Sequence, residues 1–354
     1  MKALLLSLLW RVPLALVVLL ASSWGVLALY FRGPESLALR LLFITLWLLP
    51  ALAAMVGIAI PRSAPLTVAG PALFGLAVVV LAVWWHTITP SHNRDWAPDV
   101  ARLLHATRDG DIVTLENVRN FEWRTREDFD ARWETRQYDL STLESADLVV
   151  SYWMGPAIAH TLVSFGFADG RHLVFSVEVR RTRGQKFSAL GSFFRQSELV
   201  LVAADERDIV RTRSNARGES VYLYSVALSK ADMRSLFEAY LQEADQLENE
   251  PRFYNTLTSN CTTIVYDMVK RIVPGLPWDY RLLASGYLPD YIYDLGALNT
   301  DFPLAELERR GHINQRAIAS DHDGHSTAAF SQAIRETVPS ARIEQHNADE
   351  PPQP

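Results

Sequence analysis

The sequence predicts an α+β domain placed behind three membrane-crossing helices. Three observations predict it. Residues 1–90 are nearly all apolar and fall into three stretches. Residues 91–318 begin with short segments rich in Val, Ile, Thr and aromatic residues, then turn to helical periodicity. The chain's one cysteine, Cys261, stands where one of those later helices begins. Residues 319–354 are polar, end in Pro351-Pro352-Gln353-Pro354, and are expected to be an unstructured tail.

The apolar stretches run from about Pro13 to Phe31, Leu37 to Ile60 and Leu66 to Trp85. Each is close to the ~20 residues that cross a bilayer. Arg32-Gly33-Pro34-Glu35 and Pro61-Arg62-Ser63 separate them, and Trp84, Trp85 and His86 close the third as an aromatic belt would. A cleaved signal peptide competes for the first stretch, because Lys2 precedes it and Ala21-Ser22-Ser23 is small. The apolar run continues past those small residues to Phe31, which favours a span. Charge does not orient the spans: Lys2, Arg11 and Arg62 stand against Arg32, Arg40, Arg94 and Arg102. One cysteine excludes an internal disulfide, and a net charge of −6 gives no reason to expect a nucleic-acid partner.

The soluble part opens with strands. Segments 111–118, 132–138, 147–153, 158–167, 172–180, 198–203 and 220–226 alternate or are β-rich. Ala168-Asp169-Gly170-Arg171 between two of them signals a hairpin, since Asp-Gly tolerates positive φ. A helix follows from Ser229 to about Leu247. Ser229 and Asp232 form its capping box, and Met233, Leu236, Phe237, Tyr240, Leu241 and Ala244 its apolar stripe. The next helix starts at Ser259 or Asn260, carries Ile264, Val265, Met268, Val269 and Ile272 at helical spacing, and stops at Val273-Pro274-Gly275. His105, beside Leu103 and Leu104, is expected in a further helix.

Cys261 shares the inward face of its helix with Ile264 and Val265. A thiol at a helix start meets the positive end of the dipole and unpaired N–H groups, both of which favour the nucleophilic thiolate. A small buried hydrophobe is the competing reading. A nucleophile needs a base. Of nine histidines, eight lie at the membrane exit, at a hairpin edge, beside Leu103-Leu104 or late in the chain. His160 alone begins an apolar strand, after Gly155-Pro156-Ala157-Ile158-Ala159. A strand-borne histidine facing a helix-borne cysteine is how thiol acyl-transfer enzymes place base and nucleophile. Histidine comes before cysteine here, an order that suits a circularly permuted papain-like fold.

Glu178 lies where the hairpin's second strand returns beside His160. A plain two-residue turn pairs Phe167 with His172 and leaves Glu178 on the opposite face. One extra residue, or a bulge, brings Glu178 onto the face of His160. A carboxylate there fixes the imidazole tautomer. Asn260 is a polar neighbour of the thiol, an oxyanion donor or simply a helix cap. No cofactor or metal site is expected. Asp321-His322-Asp323-Gly324-His325 reads as solvated tail, because no rigid element fixes those side chains.

Ordered blocks across about residues 91–300 resemble the Lnb-type lipoprotein N-acyltransferase family. They are Asn93-Arg94-Asp95-Trp96, Asn117-Val118-Arg119-Asn120-Phe121, Trp133-Glu134-Thr135-Arg136, Ser151-Tyr152-Trp153, Ala159-His160-Thr161, Ser176-Val177-Glu178-Val179-Arg180, Asp205-Glu206-Arg207-Asp208, Phe253-Tyr254-Asn255-Thr256-Leu257-Thr258 and Asn260-Cys261-Thr262-Thr263. The resemblance implies a papain-like thiol enzyme acting outside the inner membrane. Such an enzyme moves an acyl chain from the diacylglyceryl group of a lipoprotein to its N-terminal amine. It implies a multi-pass protein with the N-terminus inside and the soluble domain facing the periplasm or cell exterior. The family's Cys and His positions fall on Cys261 and His160, while Glu178 and Asn260 enter as members of matching blocks. The partners implied are membrane phospholipid and diacylated lipoproteins. Arg180-Arg181-Thr182-Arg183-Gly184-Gln185-Lys186 is a headgroup contact or a solvated loop. A cell-envelope cysteine peptidase or amidase, a lipid hydrolase, and a non-catalytic envelope binding protein remain open alternatives on the residues alone.

Overall fold

Three long apolar helices open the chain: α1 (Lys2–Arg32), α2 (Leu37–Ala59) and α3 (Leu66–Thr87). All three are long and apolar enough to cross a membrane. The computed structural model describes residues 2–60, 65–322 and 326–341. The break Pro61-Arg62-Ser63, Asp323 to His325, His346 and the proline-rich end lie outside the described residues. Small residues let α2 and α3 approach closely. A Cβ on Gly70 would meet the Ala53 carbonyl oxygen at 2.3 Å, so only glycine fits there.

The chain divides into two compact units, one of Met1–His92 with Phe187–Ser197, the other of Asn93–Lys186 with Glu198–Pro354. The grouping of 187–197 with the apolar helices goes beyond the sequence reading. A short helix, α4 (Ala189–Phe193), opens with Ser188 capping the Gly191 N–H. Phe194 after it stacks on Phe31 at 5.7 Å, and Arg195 donates to the Trp85 and Ile88 carbonyls.

The second unit is a mixed α+β domain with a largely antiparallel sheet, as the sequence predicts. Its strands are β1 (His105–Asp109), β2 (Ile112–Arg119), β3 (Glu122–Trp123), β4 (Phe129–Asp130), β5 (Trp133–Asp139), β6 (Leu143–Tyr152), β7 (Ala159–Phe167), β8 (His172–Arg180), β9 (Glu198–Ala204) and β10 (Ser220–Ser225). The main sheet runs β1-β2-β9-β8-β7-β6-β10, with β5 also on β2 and only β2–β9 parallel. His105 corrects the expected helix: it begins β1. Arg108-Asp109-Gly110-Asp111 turns the chain back, with Gly110 at φ +60°, so Leu103 and Leu104 lead into a hairpin rather than a helix.

After β9 come α5 (Glu206–Arg211), α6 (Lys230–Asn249), α7 (Thr263–Ile272), α8 (Leu288–Asp294), α9 (Leu304–Gly311), α10 (Asn314–His322) and α11 (Thr327–Arg335). Alternation along the strands gives the sheet two buried faces. Val163, Phe165, Phe175, Val177 and Leu201 pack with Phe237 and Tyr240 of α6 and Ile264 and Met268 of α7. Leu162, Val174, Val200 and Val202 pack with Ile209 of α5, Ala317 of α10, and Phe330 and Ile334 of α11. α11 corrects the expectation of an unstructured tail from 319. Ser326 caps the Ala329 N–H, Phe330 and Ile334 fall one turn apart on the buried face, and Arg335 reaches two buried carboxylates.

Candidate active site

Asn260 sets the start of α7. Its Oδ1 accepts the backbone N–H groups of Thr262 at 2.8 Å and Thr263 at 2.9 Å, and its Nδ2 donates to the Thr256 carbonyl at 2.7 Å. Every group of the amide is therefore spent on the backbone, which is a capping role. Cys261 follows the cap directly and is buried at 5 % exposure. Its thiol lies 4.0 Å from the Thr262 hydroxyl, and His160 and Thr161 are near enough to favour its ionised form.

His160 is the second residue of β7 and is also buried. The β7–β8 register pairs Gly166 with His172 and Leu162 with Ser176. This is one residue displaced from the plain two-residue turn. The Phe167 N–H bonds the Arg171 carbonyl around Ala168-Asp169-Gly170, with Gly170 at φ +79°. The extra residue brings Glu178 opposite His160 on the same face.

Around the imidazole, Nε2 lies 2.8 Å from Ser176 Oγ and 3.2 Å from Glu178 Oε1. Ser176 Oγ donates to Glu178 Oε1 at 2.8 Å, so its oxygen accepts from Nε2–H. That leaves Nδ1 for the thiol. Arg213 Nη2 also donates to Glu178 Oε1 at 2.7 Å, and its Nη1 donates to Glu219 Oε2 at 3.4 Å.

One expectation is modified. Alternation turns Thr161 and Val163 toward the α6–α7 layer that holds Cys261, and turns His160 and Leu162 to the other face. Base and thiol therefore do not meet across a flat sheet face. They come together at the beginning of β7, where the ladder with β8 has stopped at Leu162–Ser176 and the Thr161 hydroxyl reaches Thr262, the neighbour of the thiol.

The electrostatics follow from this packing. Burial and the nearby Arg213 both disfavour charge on His160, but Glu178 and the thiolate outweigh them and lift the imidazole to about 9. Burial pushes the Cys261 thiol up, while the imidazolium and the Thr161 donors bring it down to about 7. Burial likewise raises Glu178, yet His160 and Arg213 hold it well below the usual carboxylate range. Between these limits the resting pair is thiolate and imidazolium, and a buried ionised nucleophile is chemically competent for acyl transfer.

The sequence did not single out Ser176, Arg213, Thr161, Tyr254 or Tyr240 as separate site residues. Ser176 and Tyr254 lie inside the family-like blocks. Nothing in the spacing of Arg213 marks it, since it reaches Glu178 from a short π-helical turn after α5. The Tyr240 hydroxyl is buried without a hydrogen-bond partner in the packing cluster that contains Cys261. The basic run is engaged with the start of its own unit. Arg180 lies over the Trp96 ring and donates to Ala101, Arg181 pairs with Asp99, and Arg183 pairs with Asp95. Asp321 pairs with Arg211 and so is tied to the fold.

Fold and site together define a membrane protein whose α+β domain buries a thiolate–imidazolium pair backed by a carboxylate. Residues 129–286, which contain Cys261, His160, Glu178 and Asn260, match the family described as the Lnb N-terminal periplasmic domain, the family whose blocks the sequence carries. With its three apolar helices, the chain is a membrane protein with a periplasmic domain similar to that family over those residues. No curated protein and no solved structure matches the chain.

Proposed function

We propose that the chain is a thiol acyltransferase of the bacterial inner membrane. In this reading it is multi-pass with the soluble domain outside, and moves an acyl chain to the N-terminal amine of lipoproteins. The observation that carries the proposal is the buried Cys261–His160–Glu178 arrangement at the capped start of α7. The strands-first, cysteine-helix-second order fits a circularly permuted papain-like enzyme.

The Cys261 thiolate attacks an ester carbonyl of the diacylglyceryl group. The ester C–O bond breaks, the glyceryl oxygen takes the proton from the His160 imidazolium, and an acyl-thioester remains on Cys261. The acceptor amine then attacks the thioester. His160 accepts the amine proton and the thiolate leaves, giving an amide and a lyso-lipoprotein. Glu178 and Ser176 hold the ring, and Arg213 keeps the carboxylate ionised. A membrane anchor suits diacyl substrates and phospholipid, which stay in the bilayer.

The test is mass spectrometry of a reporter lipoprotein's N-terminal peptide, in a host lacking its own N-acylation enzyme. Native chain should shift one acyl chain from glycerol to the amine, and Cys261→Ala should not. A diacyl peptide left unchanged by a stable, membrane-inserted native chain overturns the proposal for this substrate. A second reading, a thiol peptidase or amidase, is favoured by one observation: a nearby cavity is lined by tyrosines and charged side chains rather than by a long apolar groove. Cleavage of cell-wall peptides that depends on Cys261, with no acyl shift, would decide for it.

A further inference from the structure

A cavity of about 760 Å³ lies in the same unit, beside the start of β7. Two links tie it to the site. Tyr152, which lines it, pairs with Ala159 in the β6–β7 register. Glu219, which also lines it, accepts from Ser151 Oγ at 2.5 Å, and Ser151 pairs with His160. Cys261 and His160 are not among its lining residues.

Tyr152, Tyr222 and Tyr224 form an aromatic wall. The rings of Tyr152 and Tyr222 meet edge-on at 5.5 Å, and those of Tyr222 and Tyr224 stack at 6.5 Å. Tyr224 is only 3 % exposed, and among the described residues its hydroxyl has no hydrogen-bond partner. Asp290 and Glu308 line the same space and act electrostatically on the Tyr152 and Tyr224 hydroxyls. Among the described residues neither carboxylate has an ion-pair or hydrogen-bond partner. Burial and then Asp290 hold Glu308 above the usual carboxylate range. Arg126 and Arg217 line the cavity too: Arg217 lies 3.8 Å from Glu219, and Arg126 donates to the Arg217 carbonyl and keeps its charge, so the lining is acidic on the Asp290–Glu308 side.

Two uncompensated carboxylates, tyrosine π-faces and a phenol oxygen without a donor are complementary to one chemistry. An ammonium neutralises the carboxylates, lies against the rings and donates to the hydroxyl. An apolar ligand would strand the carboxylates. We propose that this cavity docks a primary ammonium group next to the thiol site. Resting on the acyltransferase reading, that ammonium is the N-terminal amine of the acceptor peptide, held before transfer. An ethanolamine headgroup offers the same group, and the test separates the two.

Binding is measured by calorimetry on the full chain carrying Cys261→Ala in lipid nanodiscs. The probes are a hexapeptide with a free N-terminus, the same peptide N-acetylated, and O-phosphoethanolamine. The free amine should bind about tenfold or more tighter than the acetylated peptide, as expected for charged hydrogen bonds. Asp290→Asn with Glu308→Gln should remove that preference. Tyr224→Phe, which keeps the ring and the packing, should weaken binding a few-fold. Tighter binding of the peptide assigns the acceptor, and tighter binding of phosphoethanolamine assigns a headgroup; both support the ammonium site. Equal binding of free and acetylated peptide with none of phosphoethanolamine, or binding untouched by the double variant, overturns it. The readout is independent of turnover. Loss of ammonium binding alongside intact N-acylation by native chain sinks the cavity proposal alone.

Discussion

Replacing Glu178 by Gln should move the titration of the only cysteine, and the size of the shift follows from the contacts. The thiol stands at about 7 instead of its ordinary 9 because an imidazolium sits beside it. That difference of two pH units is about 2.7 kcal/mol, at ~1.36 kcal/mol per unit. The imidazolium persists in a buried place because the Glu178 charge offsets burial and the repulsion of Arg213. Gln keeps the shape and a hydrogen-bonding oxygen but removes the charge. His160 then turns neutral, and the thiol climbs back toward 9, since burial alone pushes it up. At pH 7.5 the thiolate fraction should fall from about three quarters to about 3 %, roughly 25-fold. The assay is the pH dependence of Cys261 alkylation by iodoacetamide in full-length protein, where a single thiol makes the adduct unambiguous. Native protein should show a midpoint near 7, with the thiolate–imidazolium pair lost above about 9 as His160 deprotonates. Thermal unfolding checks that Arg213, left with Glu219 at 3.4 Å, has not destabilised the fold. A folded Glu178→Gln protein whose midpoint stays near 7 refutes the assigned electrostatics.

Two further outcomes test the scaffold. Asn260→Ala leaves the Thr262 and Thr263 N–H groups without their acceptor, so it should cost about 1 kcal/mol in unfolding free energy; an unchanged denaturation midpoint would show that Asn260 is not the effective cap. Arg335→Met strands Asp147 and Glu206, both buried and bound by that guanidinium at 2.7 and 2.5 Å. It should cost about 3–5 kcal/mol in urea unfolding, and a loss under 1 kcal/mol would mean that α11 is not held by this triad. On the acid side the two carboxylates differ, since burial raises Asp147 while Arg335 depresses Glu206. Glu206 is depressed to about 2, so its stabilising share is present above the ordinary carboxylate range and fades as pH falls toward 2.

Much of the fold was legible because its signals are local. Apolar length marks α1 to α3, the Asp169-Gly170 turn marks β7 and β8, and the Ser229–Asp232 box with its stripe marks α6 to within two residues at either end. What was not legible depends on partners distant in sequence. α11 looks like polar tail until Phe330 and Ile334 find the sheet and Arg335 finds Asp147 and Glu206. Phe187 to Ser197 carries no local signal, and its place is set by Phe194 on Phe31. Cys261 and His160 were readable one at a time, from a helix start and an apolar strand. Glu178 was readable only as two registers, because one residue in a turn decides its face. The Asp205-Glu206-Arg207-Asp208 block, which marks the family, proves to be structural. Its side chains pair in turn with Arg136, Arg335, Glu122 and Arg119. A family-like block is thus no guide to chemistry until its contacts are known.

Burial of the site bears on the choice between transfer and hydrolysis. Cys261 and His160 are each under 10 % exposed, and the Tyr240 and Tyr254 rings pack in the thiol's cluster. A low-dielectric pocket strengthens the thiolate–imidazolium attraction, which is why the pair survives burial at all. The same packing would keep bulk water from an acyl-thioester, whose fate is otherwise set by whichever nucleophile arrives first. A hydrolase has no need of that exclusion, because water is its acceptor. A transferase does need it, and also needs a way to admit one amine. On the proposal above, the acidic, tyrosine-walled cavity at the start of β7 would hold that amine. Exclusion of water is thus the feature that favours the transferase reading, while the polar cavity also suits a peptide substrate.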